Sequence, residues 1–132
     1  MNTAYAELAG TRKHFALGIA AVDHIDPLIA LFNAYLGKEG GFLERPFCTF
    51  GGCPIVSPLR FGKDNAEVLV KMAELGLVGD IAVAPQAGAT SPAALAGTLA
   101  QTFAETLSCL AVMNLVRPGA AMNFGMWPFI TD

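Results

Sequence analysis

The chain has 132 residues, of which 54% are apolar and only 14% are charged. This composition excludes a disordered chain, which needs low hydrophobicity and high net charge. Eight Lys and Arg residues against eleven Asp and Glu residues give a net charge of −3, which argues against a nucleic-acid-binding protein, since no basic stripe is available to neutralise phosphates. The length allows one core, and the apolar surplus predicts that part of the surface faces something other than water.

The first half of the chain alternates between short apolar runs and a helical stretch. Residues 14–21 are typical of a strand that is buried on both faces. Asp26 and Pro27 predict a helix start with Asp26 as the N-cap, and this helix ends at Gly37. Residues 46–50 predict a second strand, which leads into a Gly- and Pro-rich stretch.

The second helix is predicted to begin near Asp64, because Asp64 and Glu67 stand at the spacing of a capping box. Gly76 or Gly79 ends it. Residues 81–84 then predict the third strand.

A third helix is predicted to start at Ser91 and Pro92, which repeat the pattern of a cap followed by proline. It continues to about Val116, and residues 121–126 predict a fourth strand. The order is therefore β-α-β-α-β-α-β, with strand starts about 30 to 40 residues apart, the length that a βα unit requires.

Nearly all-apolar strands that alternate with helices predict an α/β fold with a parallel sheet covered by helices. Two architectures stay open at this point: a small doubly wound sheet and a part of a (β/α)8 barrel. No G-x-G-x-x-G turn, which would favour a dinucleotide-binding open sheet, follows any predicted strand. We expect a single domain over residues 1–132 with about four strands and three helices.

Residues 81–104 contain no Asp, Glu, Lys or Arg, a length that would suffice for a membrane span. Pro85, Gly88, Pro92 and Gln101 interrupt this stretch, so we predict no membrane span. The N-terminal residues lack the continuous apolar segment of a signal peptide. The three cysteines have no C-x-x-C spacing, which predicts neither a disulfide framework nor a metal site and favours a reducing cytoplasm.

Parallel α/β folds bind ligands at the carboxyl ends of their strands, which makes Asp23 and Gln86 candidate substrate-binding residues. Asp23 and its neighbour His24 follow the first predicted strand, either as an acid and base pair or as part of a solvated loop. Gln86 follows the third strand and begins a loop of small residues. If buried, Gln86 is either a structural clamp or a donor to the substrate.

Phe124, Trp127 and Phe129 form an aromatic group at the end of the fourth predicted strand. Aromatic residues at such a position belong either to the core or to a pocket mouth, where ring faces can hold a cation. We count Phe124 and Trp127 as candidate substrate-binding residues. The residue pattern assigns no catalytic residue.

Several runs of the sequence resemble the trimethylamine methyltransferase family. The most specific are PQAGATSP at residues 85–92, LAGTL at 95–99 and LVRPGA at 115–120. ERPF at residues 44–47, PIVSPL at 54–59 and FGMWPF at 124–129 agree with them. The resemblance covers the chain from about Lys13 onward.

The resemblance implies a (β/α)8 barrel that takes a methyl group from a methylamine or a quaternary amine such as glycine betaine and passes it to the cobalt of a separate corrinoid protein. The corrinoid is then carried by the partner protein, and we expect this chain to bind no cofactor directly. A quaternary ammonium has no N–H to donate and is held by ring faces and carboxylates, which suits Trp127. Family members are several times longer than this chain, and about 250 residues are typical for a barrel, so the resemblance implies about half a barrel.

Two functional hypotheses follow from this resemblance. In the first, the chain is a segment of a corrinoid-dependent amine methyltransferase. In the alternative, it is a truncated, non-catalytic half-barrel that acts as a binding or assembly subunit. A half-barrel has two open strand edges, which native proteins cover, so we also expect a homo-oligomer in the cytoplasm.

Overall fold

The computed structural model describes residues 2–130, so the two ends of the predicted domain, Met1 and residues 131–132, lie outside the described residues. The elements in chain order are α1 (Asn2–Gly10), β1 (Phe15–Gly18), a 3-10 turn (Val22–His24), α2 (Ile25–Leu36), α3 (Gly41–Glu44), β2 (Cys48–Gly52), β3 (Ile55–Val56), β4 (Arg60–Phe61), α4 (Lys63–Leu75), β5 (Gly79–Val83), β6 (Gln86–Ala87), α5 (Leu95–Val116), β7 (Met122–Met126) and β8 (Phe129–Ile130).

The central sheet has four parallel strands in the order β1-β2-β5-β7. The predicted α/β fold with a parallel sheet and helices is therefore confirmed. Each strand lies beside the one that precedes it in this sheet, so the strand order contains no reversal within residues 2–130. A doubly wound sheet has such a reversal at its ligand-binding switch point.

The four predicted strands correspond to β1, β2, β5 and β7, and the three predicted helices correspond to α2, α4 and α5. The structure adds α1, which the sequence analysis did not predict. Its sequence carries no acidic residue in the first turn and no basic residue in the last turn, and Ala4 is its one buried residue. Local signals for a helix are therefore weak there, and α1 depends on packing against the core.

The three predicted helix N-caps are wrong. Asp26 and Asp64 lie inside the first turns of α2 and α4, and α5 begins after Ser91 and Pro92, at Leu95. None of these helices has a side-chain cap hydrogen bond. Carboxylates at the second position of a helix still interact favourably with its exposed N–H groups, which explains why Asp26 and Asp64 resemble caps in the sequence.

The predicted helix end at Gly37 is confirmed, and of the two ends predicted for the second helix, Gly76 and Gly79, the structure has Gly76. Gly37 and Gly76 adopt the left-handed conformation, with φ of 64° and 71°, and each donates its N–H to a carbonyl of the last turn. Glycine adopts this conformation without a steric cost.

The core on the helix-covered side is built around the ring of Phe32. Its centroid lies 4.8 Å from that of Phe42, 5.2 Å from Phe47 and 6.1 Å from Phe50. Phe32 and Phe42 are completely buried. Aromatic pairs at these distances contribute beyond their buried area, so this cluster fixes α2 and α3 against β1 and β2.

The two faces of the sheet differ. Leu17, Phe50 and Ile81 are at most 5% exposed and belong to the core beneath the helices. The residues between them along the strands point to the other face. We call this other face the open face; its small residues are Ala16, Gly18, Gly51, Ala82 and Gly125, and its polar residues are Thr49, Asp80 and Asn123.

The polar residues of the open face lie near the amino ends of the strands. The Thr49 hydroxyl donates to Asp80 Oδ2 at 3.4 Å, and His14 Nε2 lies 3.4 Å from the same hydroxyl oxygen. Asn123 is the register neighbour of Asp80. His14, Thr49 and Asp80 are thus linked to one another, and this polar group stands away from the carboxyl ends, where ligands bind in such folds.

Two of the three free cysteines are buried and one is exposed. Burial raises the pKa of the Cys48 thiol from 9.0 to about 12 and that of Cys109 to about 11, the latter also through the charge of Glu105. Both thiols are therefore protonated and pack as small apolar groups.

Among the described residues, α5 is long and apolar enough to cross a membrane by length and composition. It packs against α4, β5 and β7 and buries the polar side chains of Thr98, Thr102 and Glu105. Core helices of globular proteins meet the same length and composition test, so these two properties alone do not assign α5 to a bilayer.

Gly51 lies where the backbone of β5 comes too close for a side chain. A Cβ at Gly51 would collide with the carbonyl oxygen of Asp80, whereas a Cβ at Gly18, its register partner on β1, would meet nothing within 4 Å. Overpacking typically costs about 1–3 kcal/mol, so we expect Gly51→Ala to lower the free energy of unfolding by that amount. Gly18→Ala should leave it unchanged or raise it by up to about 1 kcal/mol. Urea denaturation of both variants measures the difference, and equal effects would contradict this packing.

Candidate functional site

The segments that follow the four parallel strands lie at the same edge of the sheet. The 3-10 turn with Asp23 follows β1, the β3–β4 hairpin follows β2, and a turn that begins at Gln86 follows β5. Trp127 and β8 follow β7. This carboxyl edge is the candidate functional site.

The ladder between β5 and β7 continues past the central sheet. The Trp127 N–H donates to the Val83 carbonyl at 2.8 Å, and the Phe129 N–H donates to the Pro85 carbonyl at 3.2 Å. Strand β6 then pairs with β8, with Gln86 opposite Phe129. The structure therefore brings Gln86, Trp127 and Phe129 together on two adjoining strands.

Side-chain alternation assigns these residues to one face. From Ile81 to Ala87 every second residue is buried, and Gln86 is among the less buried ones, on the side of the open face. The register between the two strands is constant through β6 and β8, so Trp127 and Phe129 follow Gly125 onto the same face. Trp127 is 67% exposed and Phe129 is 49% exposed.

Phe124 lies on the other face. It is the register partner of Ile81, whose side chain is in the core. Phe124 is 51% exposed, on the edge strand β7, which α5 contacts. The sequence analysis grouped Phe124 with Trp127, and the structure separates the two by the alternation of the strand.

Asp23 is placed far from the aromatic residues. It is exposed in the 3-10 turn after β1, and β1 and β7 form opposite edges of the four-stranded sheet. Among residues 2–130, no group of three or more His, Cys, Asp or Glu side chains could hold a metal ion.

The turn that carries Gln86 is closed by its own backbone. The Gln86 carbonyl accepts hydrogen bonds from the N–H groups of Ala89, Thr90 and Ser91 at 2.9–3.0 Å. The Gln86 N–H donates to the Thr90 hydroxyl at 2.8 Å. Gly88 adopts a φ of 83°, a conformation that favours glycine. These bonds fix the position of the Gln86 backbone.

Helix α5 holds this turn through Gln101 and the hydroxyl of Thr98. The Gln101 amide donates to the Thr90 carbonyl at 2.8 Å and to the Glu105 carboxylate at 2.9 Å. The Ser91 and Thr98 hydroxyls lie 3.1 Å apart. The loop after β5 is thereby attached to a helix of the core.

Glu105 extends the same network to the loop after β2. Its buried carboxylate accepts hydrogen bonds from the Ser57 hydroxyl and the Leu59 N–H, both at 2.8 Å. With Gln101 as third donor, one carboxylate joins the β3–β4 hairpin and the Gln86 turn to α5. Hydrogen bonds to charged groups are about twice as strong as neutral ones, so Glu105 fixes two of the four segments at the carboxyl edge.

The sequence analysis missed Glu105, although the sequence carries a signal for it. Glu105 is the single charged residue between positions 81 and 116. A lone carboxylate in an otherwise apolar helix is rarely buried unless it is paired or hydrogen-bonded, so this isolation indicates a carboxylate with buried donors around it.

The fold and the site define an α/β protein with a parallel sheet, helices on one face, and an aromatic and amide cluster at the carboxyl edge of the other. Comparison with known proteins then identifies the family. The family model of trimethylamine methyltransferase (MTTB) matches residues 1–132. The chain belongs to the trimethylamine methyltransferase family, as the resemblance in the sequence predicts.

Individual relatives agree with this family. The trimethylamine methyltransferase MttB of Desulfitobacterium hafniense (strain DSM 10664 / DCB-2) is 30% identical over 122 residues, which cover 92% of this chain and 24% of the relative. MttB of Methanosarcina barkeri is 32% identical, over 89% of this chain and 24% of its own length. A glycine betaine methyltransferase of Desulfitobacterium hafniense (strain Y51) is 32% identical, over 97% and 26%. The chain thus spans about a quarter of the length of these relatives.

Removal of the Glu105 carboxylate tests its function in the network. Glu105→Ala removes the shared acceptor of three partly buried hydrogen bonds, and a hydrogen bond to a charged group contributes about 1.5–3 kcal/mol, so we expect the free energy of unfolding to fall by about 3–5 kcal/mol. Amide hydrogen exchange at Leu59 should become faster. Glu74→Ala, at an exposed position of α4, is the control and should change the stability by less than about 0.5 kcal/mol.

If Glu105→Ala does not fold, Ser57→Ala provides a milder test, because it removes one donor and leaves the carboxylate with two. It should accelerate exchange at Leu59 without a large change elsewhere. Unchanged exchange at Leu59 in both variants would contradict the proposed attachment of the hairpin.

Proposed function

We propose that this chain is part of a corrinoid-dependent amine methyltransferase, which takes a methyl group from trimethylamine or from a quaternary amine such as glycine betaine and passes it to the cobalt of a separate corrinoid protein. The observation that carries the proposal is the pair of exposed rings, Trp127 and Phe129, beside Gln86 at the carboxyl edge. Membership of a methyltransferase family supports it. The non-catalytic binding subunit has no observation of its own in its favour.

We also propose that the chain forms about half of a (β/α)8 barrel. Strands that follow one another across the sheet without a reversal support a barrel segment, because a doubly wound sheet reverses its order and carries helices on both faces. The small residues of the open face would then line the barrel interior. The carboxyl edge would form the mouth, where barrel enzymes bind their substrates.

The residues at this mouth fit a methylated amine. A quaternary ammonium has no N–H group, so it is attracted to ring faces through its charge alone. Trp127 and Phe129 offer two such faces on one side of the sheet. In this proposal the carboxylate of glycine betaine accepts a hydrogen bond from the Gln86 side-chain amide, which is a donor of the required kind.

This chain's contribution to catalysis would be to position the amine. Ring contacts at Trp127 and Phe129 would hold the ammonium with one methyl group directed out of the mouth. Such alignment lowers the activation barrier, because two reacting groups that are already held in position no longer have to meet by diffusion. A reduced corrinoid on the partner would supply the electron pair of the new bond to the methyl carbon. The pair of the broken C–N bond would stay on nitrogen, so trimethylamine in its protonated form, trimethylammonium, would leave as dimethylamine and keep its N–H.

A cytoplasmic location is part of the same proposal. Three free cysteines, two of them buried, support a reducing compartment, since oxidising compartments favour disulfides.

Amine binding can be followed by the fluorescence of Trp127, since it is the single tryptophan of the chain. We expect trimethylamine, glycine betaine or tetramethylammonium to change this fluorescence in a saturable way. Phe129→Leu removes one ring face. Because a cation–π contact contributes about 0.5–2 kcal/mol, this substitution should lower the affinity for the amine roughly 2- to 30-fold. Phe124→Leu is the matched control on the opposite face of β7 and should not change the affinity. Equal weakening in both variants would contradict the assignment of the site.

The reaction itself is tested with the protein, a reduced corrinoid protein and each amine in turn. We expect the demethylated amine to accumulate, as measured by NMR, and its rate to fall in Phe129→Leu but not in Phe124→Leu. A folded protein that binds the amines and yields no demethylated product with any of them would contradict methyl transfer and leave the binding-subunit hypothesis.

A further inference from the structure

Two adjoining pockets lie at the amino ends of the parallel strands, at the opposite end of the sheet from the candidate functional site. His14 directly precedes β1, and Phe47 directly precedes β2. Both residues line both pockets, as does Leu36 at the end of α2. The pockets have volumes of about 670 and 470 Å³. Because they share three lining residues they form one continuous groove, which we call the amino-edge groove.

The amino-edge groove concentrates the positive charge of the chain. Four of the eight Lys and Arg residues line it: Arg12, Lys13, Lys38 and Arg45. Among the described residues that line it, Glu44 is the one carboxylate. Four cations against one carboxylate give the lining a net charge of +3, whereas the whole chain carries −3. The groove is therefore a basic region of an acidic protein.

Three of these cations lack a carboxylate partner. Lys38 forms an ion pair with Glu44. Within residues 2–130, Arg12, Lys13 and Arg45 form no ion pair, although acidic residues outnumber basic ones in the chain. Like charges around one groove repel one another, and an anion in the groove would relieve this repulsion. The guanidinium group of arginine is suited to this task, because its planar fork can donate two hydrogen bonds to one phosphate or carboxylate.

An apolar wall stands beside the cations. Leu36 and Phe47 line both pockets, and Phe15 and Tyr35 line the smaller one. Tyr35 is 59% exposed, and its ring centroid lies 6.1 Å from that of Phe47. An exposed aromatic ring offers a surface on which a second planar ring can pack. The groove thus combines cations with aromatic rings, which are the two kinds of contact that a phosphorylated ring compound requires.

We propose that the amino-edge groove binds a small organic phosphate with a planar ring, a class that includes nucleoside phosphates. Arg12 and Lys13 from the smaller pocket and Arg45 from the larger pocket contact the phosphate oxygens. The ring of the ligand packs against Tyr35 and Phe47. The volumes of the two pockets agree with a ligand of this size, since sites for small molecules have about 300–1,000 Å³.

This site is separate from the proposed amine site. The amine site lies at the carboxyl ends of the strands, and the groove lies at their amino ends. Barrel enzymes perform their chemistry at the carboxyl ends, so a ligand of the groove would be bound there without being consumed. The inference goes beyond the proposed methyl transfer and does not depend on it.

Amide NMR spectra of the isotope-labelled 132-residue chain, titrated with ADP, test the inference. We use about 0.15 M salt, at which attraction between charges more than about 8 Å apart is largely screened. We expect saturable changes in chemical shift at residues 11–15 and 44–47, with a dissociation constant of about 1 mM or lower. Inorganic pyrophosphate, which has the charges without the ring, and adenosine, which has the ring without the charges, should each bind more weakly than ADP.

Variants separate the two kinds of contact. Arg12→Gln and Arg45→Gln should each lower the affinity for ADP roughly 3- to 10-fold, because each removes one contact to phosphate at an exposed position. Arg60→Gln is the matched control: it removes the same charge from an exposed position in the β3–β4 hairpin at the carboxyl ends and should leave the affinity unchanged. Tyr35→Leu should lower the affinity for ADP roughly 2- to 10-fold and leave that for pyrophosphate unchanged.

Several results would overturn the proposal. One is a titration without saturable shifts at the groove, and another is equal weakening by Arg60→Gln, which would reduce the effect to the net charge of the chain. Pyrophosphate that binds as tightly as ADP would overturn the contact with the ring. Tighter binding of a poly-glutamate peptide than of ADP would overturn the small-molecule ligand and assign the groove to an acidic protein segment. None of these measurements involves an amine or a corrinoid, so a failure of the methyl-transfer proposal would leave their outcome unaffected.

Discussion

A parallel sheet is usually covered on both faces, because its strands are apolar and their connections are helices. Here the helices cover one face of the sheet. Small and polar residues line the other face, which stays open. Apolar side chains of α5 and β7 also remain at the surface, in agreement with a composition in which only 14% of the residues are charged. The carboxyl end of the open face carries the candidate site, where Trp127 and Phe129 are exposed.

The precision of that site depends on Glu105. A buried carboxylate is costly to desolvate, and it is stable only where donors surround it. Ser57, Leu59 and Gln101 provide those donors, so the cost of burial is offset by bonds that attach two loops to one helix. An apolar residue at position 105 would pack well but would leave the hairpin and the Gln86 turn without a common anchor.

The sequence was sufficient to predict the features that depend on local patterns. Apolar runs predicted β1, β2, β5 and β7, and glycine predicted the helix ends at Gly37 and Gly76, because a left-handed conformation is a property of one residue. The N-caps predicted at Asp26 and Asp64 failed, because an acidic residue is favourable both at a cap and at the second position of a helix. The pairing of β6 with β8 and the hydrogen bonds of Glu105 to the β3–β4 hairpin join segments that are far apart in the chain. Hydrophobic periodicity reports only local structure and could not predict them.

Phe124 and Trp127 illustrate the limit of reasoning from sequence proximity. The two residues are three positions apart, an odd number, so a continuous strand directs them to opposite faces. The prediction of one aromatic group treated the end of β7 as a loop, in which direction is undefined. The hydrogen bonds of Trp127 and Phe129 to Val83 and Pro85 extend the ladder through this segment and restore the alternation. Phe124 is thereby assigned to the helix-covered side of the sheet, and Trp127 and Phe129 to the open face, so a single register separates residues that the sequence places close together.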